Sequence, residues 1–439
     1  MNFEIVKYRI VVSLSVFISV FSFSQRLVLP GDHPDPSVIK IGDTYWATST
    51  TSNWAPVFPL MKSKNLITWE LSGHIFNQIP EWADYYFWAP ELQYENGKAY
   101  VYYAAHKKGG NLCVGIASAD RPEGPYKDHG PVICQEVGSI DAFPVRDENG
   151  KLHLIWKEDA NSVGKPTPIW IQELNEERTA LVGEKHLMFK NDVPWEGNLV
   201  EGVSIKRNGD YFYAFYAGAG CCGRGCTYAV GVARSKKLLS AWEKYPNNPV
   251  LVANDEWKCP GHGTPIEKDG KYYFMFHAYN KKDDVYVGRQ GLLMEYSYTP
   301  DGWIKFLPET NTSKPLIKNF RDDFKGHSIS NSWQWSVFHK PNYSQKRGKL
   351  RLTALPATSG TFIAQSTLSS FYTTTAKVNL RKSGAAAGLG VIGDEDNMVT
   401  TLLDDKQIKV VQLKEGKETI INTVPSPKRR NIYLRMDVS

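Results

Sequence analysis

Long hydrophobic runs are almost absent from this chain of 439 residues. Beyond the stretch at residues 10–21, nothing approaches the roughly 18 consecutive apolar residues that a membrane-spanning helix needs. No segment has a helical hydrophobic period, and the cysteines lack a second ligand pair at zinc-finger spacing. These absences argue against a helical membrane protein and a zinc-finger protein. Aromatic residues are in excess at 13%, which is typical of β-rich structure and of sugar-binding clefts.

Residues 1–24 have the pattern of a secretory signal peptide. Lys7 and Arg9 precede the apolar run at 10–21, and small residues follow it, which predicts cleavage near Ser24 or Gln25. The alternative is an uncleaved anchor. No cysteine follows the run directly, so a lipoprotein anchor is not expected. We therefore predict a periplasmic or secreted protein that has no membrane span after signal cleavage.

The net charge of +6 is unevenly distributed. Residues 320–439 carry 18 Lys and Arg against 10 Asp and Glu, so the basic surplus belongs to the last part of the chain. The basic run at residues 428–430 is not accompanied by any nucleic-acid-reading motif. We predict no nucleic-acid partner.

The six cysteines favour disulfides, because an exported protein meets an oxidising compartment. Cys113 and Cys134 lie in one repeat and are placed to staple neighbouring strands. The denser run Cys221-Cys222-Gly-Arg-Gly-Cys226 resembles a metal knuckle. Structural disulfides are the favoured interpretation of both groups, with metal binding as the alternative.

Five segments repeat one pattern, in which a polar or charged residue precedes a strand-like run, a turn glycine and an aromatic strand. The leading residues are Asp35, Glu91, Asp141, Glu201 and His262, spaced 56, 50, 60 and 61 residues apart. Such repeats of short strands predict a five-bladed β-propeller. If the leading residues hold equivalent positions, all five converge on the axis. Crowded carboxylates destabilise a fold, so four acids among the five favour a functional role.

The chain divides into two predicted β domains and is therefore expected to be all-β. Residues 25–310 are predicted to form the propeller, and residues 311–319 a polar linker. Residues 320–439 alternate strands with Gly, Ser and Asp turns and lose the repeat, which predicts a β-sandwich. The sequence stops at Ser439 directly after a strand, which leaves open an incomplete second domain.

Several acids on one axis suit the hydrolysis of a bond between sugars. That reaction needs one protonated and one ionised carboxyl group on either side of the bond. When the two groups are about 6.5–9.5 Å apart, a water molecule fits between base and sugar and the anomeric configuration inverts. A third carboxylate nearby raises the pKa of the acid and orients it.

Residues 28–306 resemble glycoside hydrolase family 43, whose five-bladed enzymes act on xylan, arabinan and related plant polysaccharides. The matching motifs are P-D-P-S at Asp35, I-D at Asp141, E-G at Glu201, H-G-T at His262 and the arginine Arg289 of VGRQG. The resemblance implies that Asp35 is the general base, Glu201 the general acid and Asp141 the residue that tunes and positions the acid. It also implies that Arg289 contacts sugar hydroxyls and that His262 marks the axial site.

The sugar subsite is predicted to be floored by aromatic residues near the leading positions. Trp88, three residues before Glu91, is the first candidate, and Trp54 is the second. Glu91 itself is expected to be a wall residue without an acid–base role. Glu196 also precedes a glycine and is the rival of Glu201, which is favoured because it stands eight residues before its turn glycine, as His262 does.

The last domain resembles the concanavalin-like β-sandwich module of family 43 β-xylosidases and α-L-arabinofuranosidases, on DDF at 322–324, WQW at 333–335 and GKLRL. The resemblance implies an exo-acting, inverting hydrolase that releases β-D-xylose or α-L-arabinofuranose. No cofactor is expected to be required, although relatives often hold Ca²⁺ or water on the axis near the residue that matches His262. The alternatives are an endo-acting arabinanase, another five-bladed glycosidase such as a fructan-cleaving enzyme, and a non-catalytic carbohydrate-binding propeller.

Overall fold

The structure is a computed structural model and describes residues 25–308, 319–379, 385–429 and 431–439. The predicted signal peptide lies outside the described residues, and so does the predicted linker apart from residue 319. Within these ranges there is no α-helix, and three short 3₁₀ helices occur at Ala160–Val163, Pro194–Glu196 and Val285–Val287. None of the described segments forms a helix with the length and hydropathy needed to cross a bilayer.

Five antiparallel sheets form the blades of a propeller, as the repeats predict. The first four blades each run outward from the axis in chain order, with each strand paired to the one before it. Their strands are Ser37–Ile41, Thr44–Thr48, Val57–Ser63 and Glu70–Phe76 in blade one; Trp88–Glu95, Lys98–His106, Leu112–Ala119 and Lys127–Cys134 in blade two; Ser139–Arg146, Leu152–Glu158, Pro168–Leu174 and Leu181–Lys190 in blade three; and Val200–Asn208, Tyr211–Gly218, Ala229–Ser235 and Glu243–Lys244 in blade four.

Blade five is built from both ends of the propeller sequence. Its own strands are Trp257–Lys268, Lys271–Asn280, Gln290–Tyr298 and Ile304–Phe306. The first described strand, Arg26–Leu29, pairs antiparallel with Gln290–Tyr298 and so closes the ring. Leu29 lies opposite Gly291, where an added Cβ would come within 2.7 Å of the leucine side chain. A glycine at 291 therefore allows the closing strand to pack tightly.

The hydrophobic core is divided into clusters between neighbouring blades. One cluster joins blades one and two, and others join blades two and three, three and four, four and five, and five and one. The aromatic second strands supply many of the largest buried side chains, among them Tyr102, Trp156, Phe215 and Phe274. Burial of a large aromatic or aliphatic side chain contributes roughly 1.5–3 kcal/mol, so these clusters hold the ring together.

The last domain is also entirely β among its described residues. Its strands are Trp335–Ser336, Tyr343–Gln345, Leu350–Leu352, Tyr372–Asn379, Ala387–Asp394, Asn397–Leu403, Gln407–Lys414, Lys417–Pro425 and Asn431–Val438. It docks on the propeller through a short antiparallel pair between Trp335–Ser336 and Trp54–Ala55. Trp335 is buried in the cluster between blades one and two. The predicted β-sandwich is confirmed, while the domain boundaries stay predictions.

All six cysteines are paired in the structure. Cys113–Cys134 joins the third and fourth strands of blade two, as the sequence suggested. The dense run forms a bond between the adjacent residues Cys221 and Cys222, and Cys226 bonds to Cys259 at the beginning of blade five. The second of these bonds ties the loop of blade four to the neighbouring blade.

The stability of the propeller should depend on the strand Arg26–Leu29, which closes the ring. We expect Leu29→Ala to lower the free energy of unfolding by about 2–5 kcal/mol, because Leu29 is 2% exposed and its removal leaves a cavity between blades five and one. The measurement is urea denaturation followed by tryptophan fluorescence. Leu187→Ala is the matched control, since Leu187 is 51% exposed and should change stability by less than about 0.5 kcal/mol. Equal losses in the two variants would contradict this account of ring closure.

Candidate active site

Each innermost strand has a residue with positive φ within it or, in blade one, two residues before it. These residues are Asp35, Ala89, Asp141, Gly202 and His262, with φ between 33° and 61°. A non-glycine residue in this region is uncommon, and such backbone strain concentrates at functional sites. Because the innermost strands surround the axis, these five positions mark one level of the channel.

Three of the leading residues stand at these positions, and the other two are offset from them along their strands. Glu91 lies two residues after Ala89, and Glu201 lies one residue before Gly202. In a strand, residues two apart face the same side, so Glu91 lies one level further along the axis. A β-bulge interrupts the innermost strand at the matching place in blades two to five, so Glu91 differs by its position relative to the bulge.

Asp35 is held by partners from three directions. The hydroxyl of Thr50 donates to Oδ2 at 2.7 Å, and a guanidinium nitrogen of Arg289 donates to Oδ1 at 3.0 Å. The backbone N–H of Asp35 donates to Nδ1 of His277 at 3.0 Å. Burial by itself would raise the pKa of Asp35, but the charge of Arg289 and the nearby histidines outweigh it, and the pKa lies well below its usual range. Asp35 is therefore an ionised carboxylate.

Asp141 lies beside Asp35, with one imidazole between them. The Nδ1 atom of His262 is 3.6 Å from Oδ1 of Asp35 and 3.7 Å from Oδ2 of Asp141. The backbone N–H of Gly202 donates to Oδ2 of Asp141 at 2.9 Å. A Cβ on Gly202 would lie 2.7 Å from the His262 ring, so glycine is needed there both for its φ of +61° and for this approach.

Glu201 is clamped by two donors. The ammonium of Lys157 donates to Oε2 at 2.5 Å, and the hydroxyl of Tyr228 donates to Oε1 at 2.7 Å. Lys157 is 1% exposed and is also 3.0 Å from Asp159. It stands at the end of the second strand of blade three and reaches across to the first strand of blade four.

The pKa of Glu201 is shifted in the direction opposite to the one expected from the sequence, and the pKa of its neighbour Asp141 is raised instead. Burial raises the pKa of Asp141 to about 6, with the charge of Glu201 adding to the effect. Burial also acts on Glu201, but the charge and hydrogen bond of Lys157 outweigh it and lower its pKa. In the free protein Asp141 is therefore more readily protonated than Glu201. Lys157, which the sequence analysis did not consider, is the cause.

Glu91 is buried without a cation. Its carboxyl accepts from Thr264 at 3.4 Å, and burial raises its pKa to about 8. A buried carboxyl without a charged partner becomes protonated rather than remaining ionised. That Glu91 is a wall residue without an acid–base role stays a prediction.

The structure separates Glu201 from its rival Glu196. Glu196 is fully buried in the loop before blade four, where it accepts from Lys244 and Tyr216, each at 2.7 Å, and from backbone N–H groups. That arrangement caps a turn. Glu201, by contrast, adjoins Gly202, which donates to Asp141.

The two predicted aromatic residues have different surroundings. Trp88 donates from Nε1 to Ser52 at 3.0 Å, stacks on Tyr86 and packs against Ile140, the neighbour of Asp141. Trp54 instead lies at the contact with the last domain, where its ring meets Phe362 edge-on with centroids 6.1 Å apart. Trp88 is therefore the one placed beside the carboxylates.

Few side chains near the axis could bind a metal ion directly. Among the described residues, no group of three or more His, Cys, Asp or Glu side chains has a geometry that could hold a metal ion. His262 offers one imidazole, and its Nδ1 faces the two aspartates. The Ca²⁺ predicted to bind through water stays a prediction.

Sequence reasoning missed four residues that touch the carboxylates: Thr50, Lys157, Tyr228 and His277. Lys157 and His277 left a weak signal, because each is an ionisable residue directly after a run of apolar and aromatic residues in its strand. Tyr228 and Thr50 left none, since each is one of many tyrosines and threonines in loops.

Comparisons with known proteins agree with this geometry. A family model described as "Glycosyl hydrolases family 43" matches residues 24–304. A second one, described as "Beta xylosidase C-terminal Concanavalin A-like domain", matches residues 321–439. Together they cover both β domains.

Individual relatives are more distant. The chain is 29% identical over 278 residues to a xylan 1,3-β-xylosidase from a Vibrio species, covering 59% of this chain and 50% of that protein. It is 25% identical over 448 residues to a non-reducing end α-L-arabinofuranosidase from Bacteroides ovatus, covering 90% and 79%. It thus spans between half and about four-fifths of these relatives. A crystal structure of xylan β-1,4-xylosidase from Bacillus halodurans has the same fold, with a TM-score of 0.80, 22% identity and coverage of 94% and 87%.

The neutral Glu91 makes a pH-dependent contribution to stability. Its pKa rises from about 4.5 unfolded to about 8 folded, so folding requires proton uptake between these pH values and stability falls as pH rises through them. Glu91→Gln keeps a neutral side chain. We expect its free energy of unfolding, relative to the parent, to increase by about 1 kcal/mol per pH unit between pH 5 and 8. Urea denaturation at several pH values measures this, and the exposed Glu184→Gln should give no such trend. A pH-independent difference for Glu91→Gln would contradict its neutral state.

Proposed function

The chain belongs to glycosyl hydrolase family 43, and on that premise we propose that it is an inverting, exo-acting glycosidase that releases pentose units from plant polysaccharides or oligosaccharides. The observation that carries this proposal is the cluster of Asp35, Asp141 and Glu201 around the axis, each held by partners from other blades. A non-catalytic carbohydrate-binding propeller has no need to hold three buried carboxylates together.

The roles follow from the ionisation of each acid. Asp35 is ionised, so it accepts a proton from a water molecule as the water oxygen bonds to the anomeric carbon. Glu201, once protonated, gives its proton to the glycosidic oxygen as the bond to the anomeric carbon breaks. One water is consumed, and the products are a free sugar and an alcohol. Asp35 then returns its proton to solvent, and Glu201 regains one.

Asp141 and His262 position the acid and base for this step. His262 Nδ1 lies between the two aspartates, 3.6 Å from Oδ1 of Asp35 and 3.7 Å from Oδ2 of Asp141, and so separates their carboxylates. Asp141 accepts from the N–H of Gly202 and so orients the backbone next to Glu201. Arg289, through its bond to Asp35, keeps the base ionised in addition to its proposed contact with sugar hydroxyls.

Exo action is supported by the position of the last domain. Asn53 accepts a hydrogen bond from the backbone of Val337, and Trp54 pairs with Ser336. These residues follow directly on Thr50, which donates to Asp35, and Ser52, which accepts from Trp88. The last domain thus borders one side of the site, which favours a pocket over an open cleft.

The substrate is proposed to be a β-D-xyloside or an α-L-arabinofuranoside, the two classes that the names of the relatives describe. We also propose that the protein is exported to the periplasm or medium. The predicted signal peptide supports this, as do relatives whose names describe extracellular enzymes.

Removal of either acid or base should abolish hydrolysis. We expect Asp35→Asn and Glu201→Gln to lower kcat/KM for an unactivated aryl β-xyloside or α-L-arabinofuranoside by about 10²–10⁴-fold. The assay is release of the phenol, with circular dichroism to confirm folding. Glu196→Gln is the matched control, because Glu196 is also buried and paired with a lysine. Full activity in Asp35→Asn or Glu201→Gln would overturn the proposed roles.

Stereochemistry tests the mechanism separately. A single displacement should give the product with inverted anomeric configuration before mutarotation. Proton NMR of the first minutes of hydrolysis detects this through the anomeric signals. Initial appearance of the retained anomer would exclude Asp35 as a base acting through water.

A further inference from the structure

Lys157 is an unusual lysine. It is 1% exposed, and among the lysines in the described ranges it is the only one that is fully buried. A buried lysine is costly unless its charge is paired. Its ammonium is 2.5 Å from Glu201 and 3.0 Å from Asp159, and the charges of those two acids and of Asp141 keep it protonated, raising its pKa despite burial.

Strand pairing fixes the position of Lys157. It lies in the second strand of blade three, opposite Ile140 on one side and Ile169 on the other. Ile140 immediately precedes Asp141, so the strand pairing sets the lysine beside the carboxylate cluster. Its side chain then crosses to blade four, where Glu201 accepts from it.

We infer that Lys157 is a positioning residue for the reaction, which holds the Glu201 carboxyl in place and stabilises the negative charge that Glu201 acquires when it gives its proton to the leaving oxygen. This inference rests on the proposed role of Glu201 as general acid. Burial would otherwise make Glu201 too weak an acid, because a desolvated carboxyl resists ionisation. The lysine charge is present before the reaction starts and needs no rearrangement as the proton leaves.

The pKa of Glu201 depends on every charged or titratable group that faces it. Lys157 and Tyr228 donate to its two oxygens, Asp141 is the neighbouring acid from blade three, and His262 approaches from blade five. Only Lys157 among these is a permanent cation in hydrogen-bonding contact with Glu201. Replacing Lys157 should therefore change the pKa of Glu201 more than replacing any other of these groups.

Lys157→Met tests the inference by its pH profile. Loss of the positive charge raises the pKa of Glu201, so the protonated, active form persists to higher pH. We expect the basic limb of kcat/KM against pH to move upward by about one unit, while the acidic limb, which belongs to Asp35, stays in place. Lys157→Arg keeps the charge and should keep the basic limb of the parent. An unmoved basic limb in Lys157→Met would overturn the inference.

Leaving-group dependence gives a second readout that a merely structural lysine would not alter. A dinitrophenyl glycoside needs little protonation of its leaving oxygen, whereas a phenyl glycoside needs much. For Lys157→Met we expect kcat to fall about tenfold or more on the phenyl glycoside and less than about threefold on the dinitrophenyl glycoside, with KM little changed. Equal losses on both substrates would show a structural role only and overturn the inference.

Two further variants keep the test decisive if Lys157→Met does not fold. Asp159→Asn removes the competing partner of Lys157, lowers the pKa of Glu201 and should move the basic limb to lower pH, the opposite direction. An unmoved limb in Asp159→Asn would count against the inference. Lys244→Met is the matched control, because Lys244 pairs with the buried Glu196 away from the carboxylate cluster. It should leave the pH limbs and the leaving-group dependence unchanged.

Failure of this inference can be told apart from failure of the proposed function. If Glu201→Gln loses activity on the phenyl glycoside but Lys157→Met keeps the parental pH limbs, the lysine role is wrong and the acid role stands. If Glu201→Gln is fully active, the proposed function itself is wrong.

Discussion

Electrostatic repulsion among three buried carboxylates is the constraint on which this site depends. Asp35, Asp141 and Glu201 occupy one end of a propeller axis, where low exposure strengthens their mutual repulsion. The fold holds them together because different blades supply the balancing charges and donors. Arg289 and His262 come from blade five, and Lys157 comes from blade three. The propeller is suited to this because its innermost strands bring five separate parts of the chain to one line.

Unequal partners also give the three acids unequal chemistry. Asp35 pairs with a guanidinium and is ionised, Asp141 faces an imidazole and is more readily protonated, and Glu201 meets a buried ammonium. An acid and a base can thus work side by side at one pH because their environments differ. Strain at the positive-φ positions is tolerated because the ring, closed by its first strand and tied by Cys226–Cys259, holds the inner strands in place.

The repeat pattern predicted the five blades correctly, since strand length, turn glycines and aromatic second strands are properties of local sequence. It also brought Asp35, Asp141 and His262 to one level. It misplaced Glu91, which stands only six residues before its turn glycine and hydrogen-bonds Thr264, two residues beyond His262. The strand Arg26–Leu29 was not predicted to close blade five, because pairing between residues more than 250 positions apart is decided by the closure of the ring.

The sequence by itself determined the all-β class, the number of blades and the acids that carry the proposed chemistry, because these depend on residue type and spacing along the chain. Only the tertiary structure decided which group each acid meets. Lys157 lies near the end of a strand of blade three, and its effect on Glu201 exists only once blades three and four lie side by side. Ionisation depends on charges and burial in three dimensions, so the protonation states of the site came from the fold.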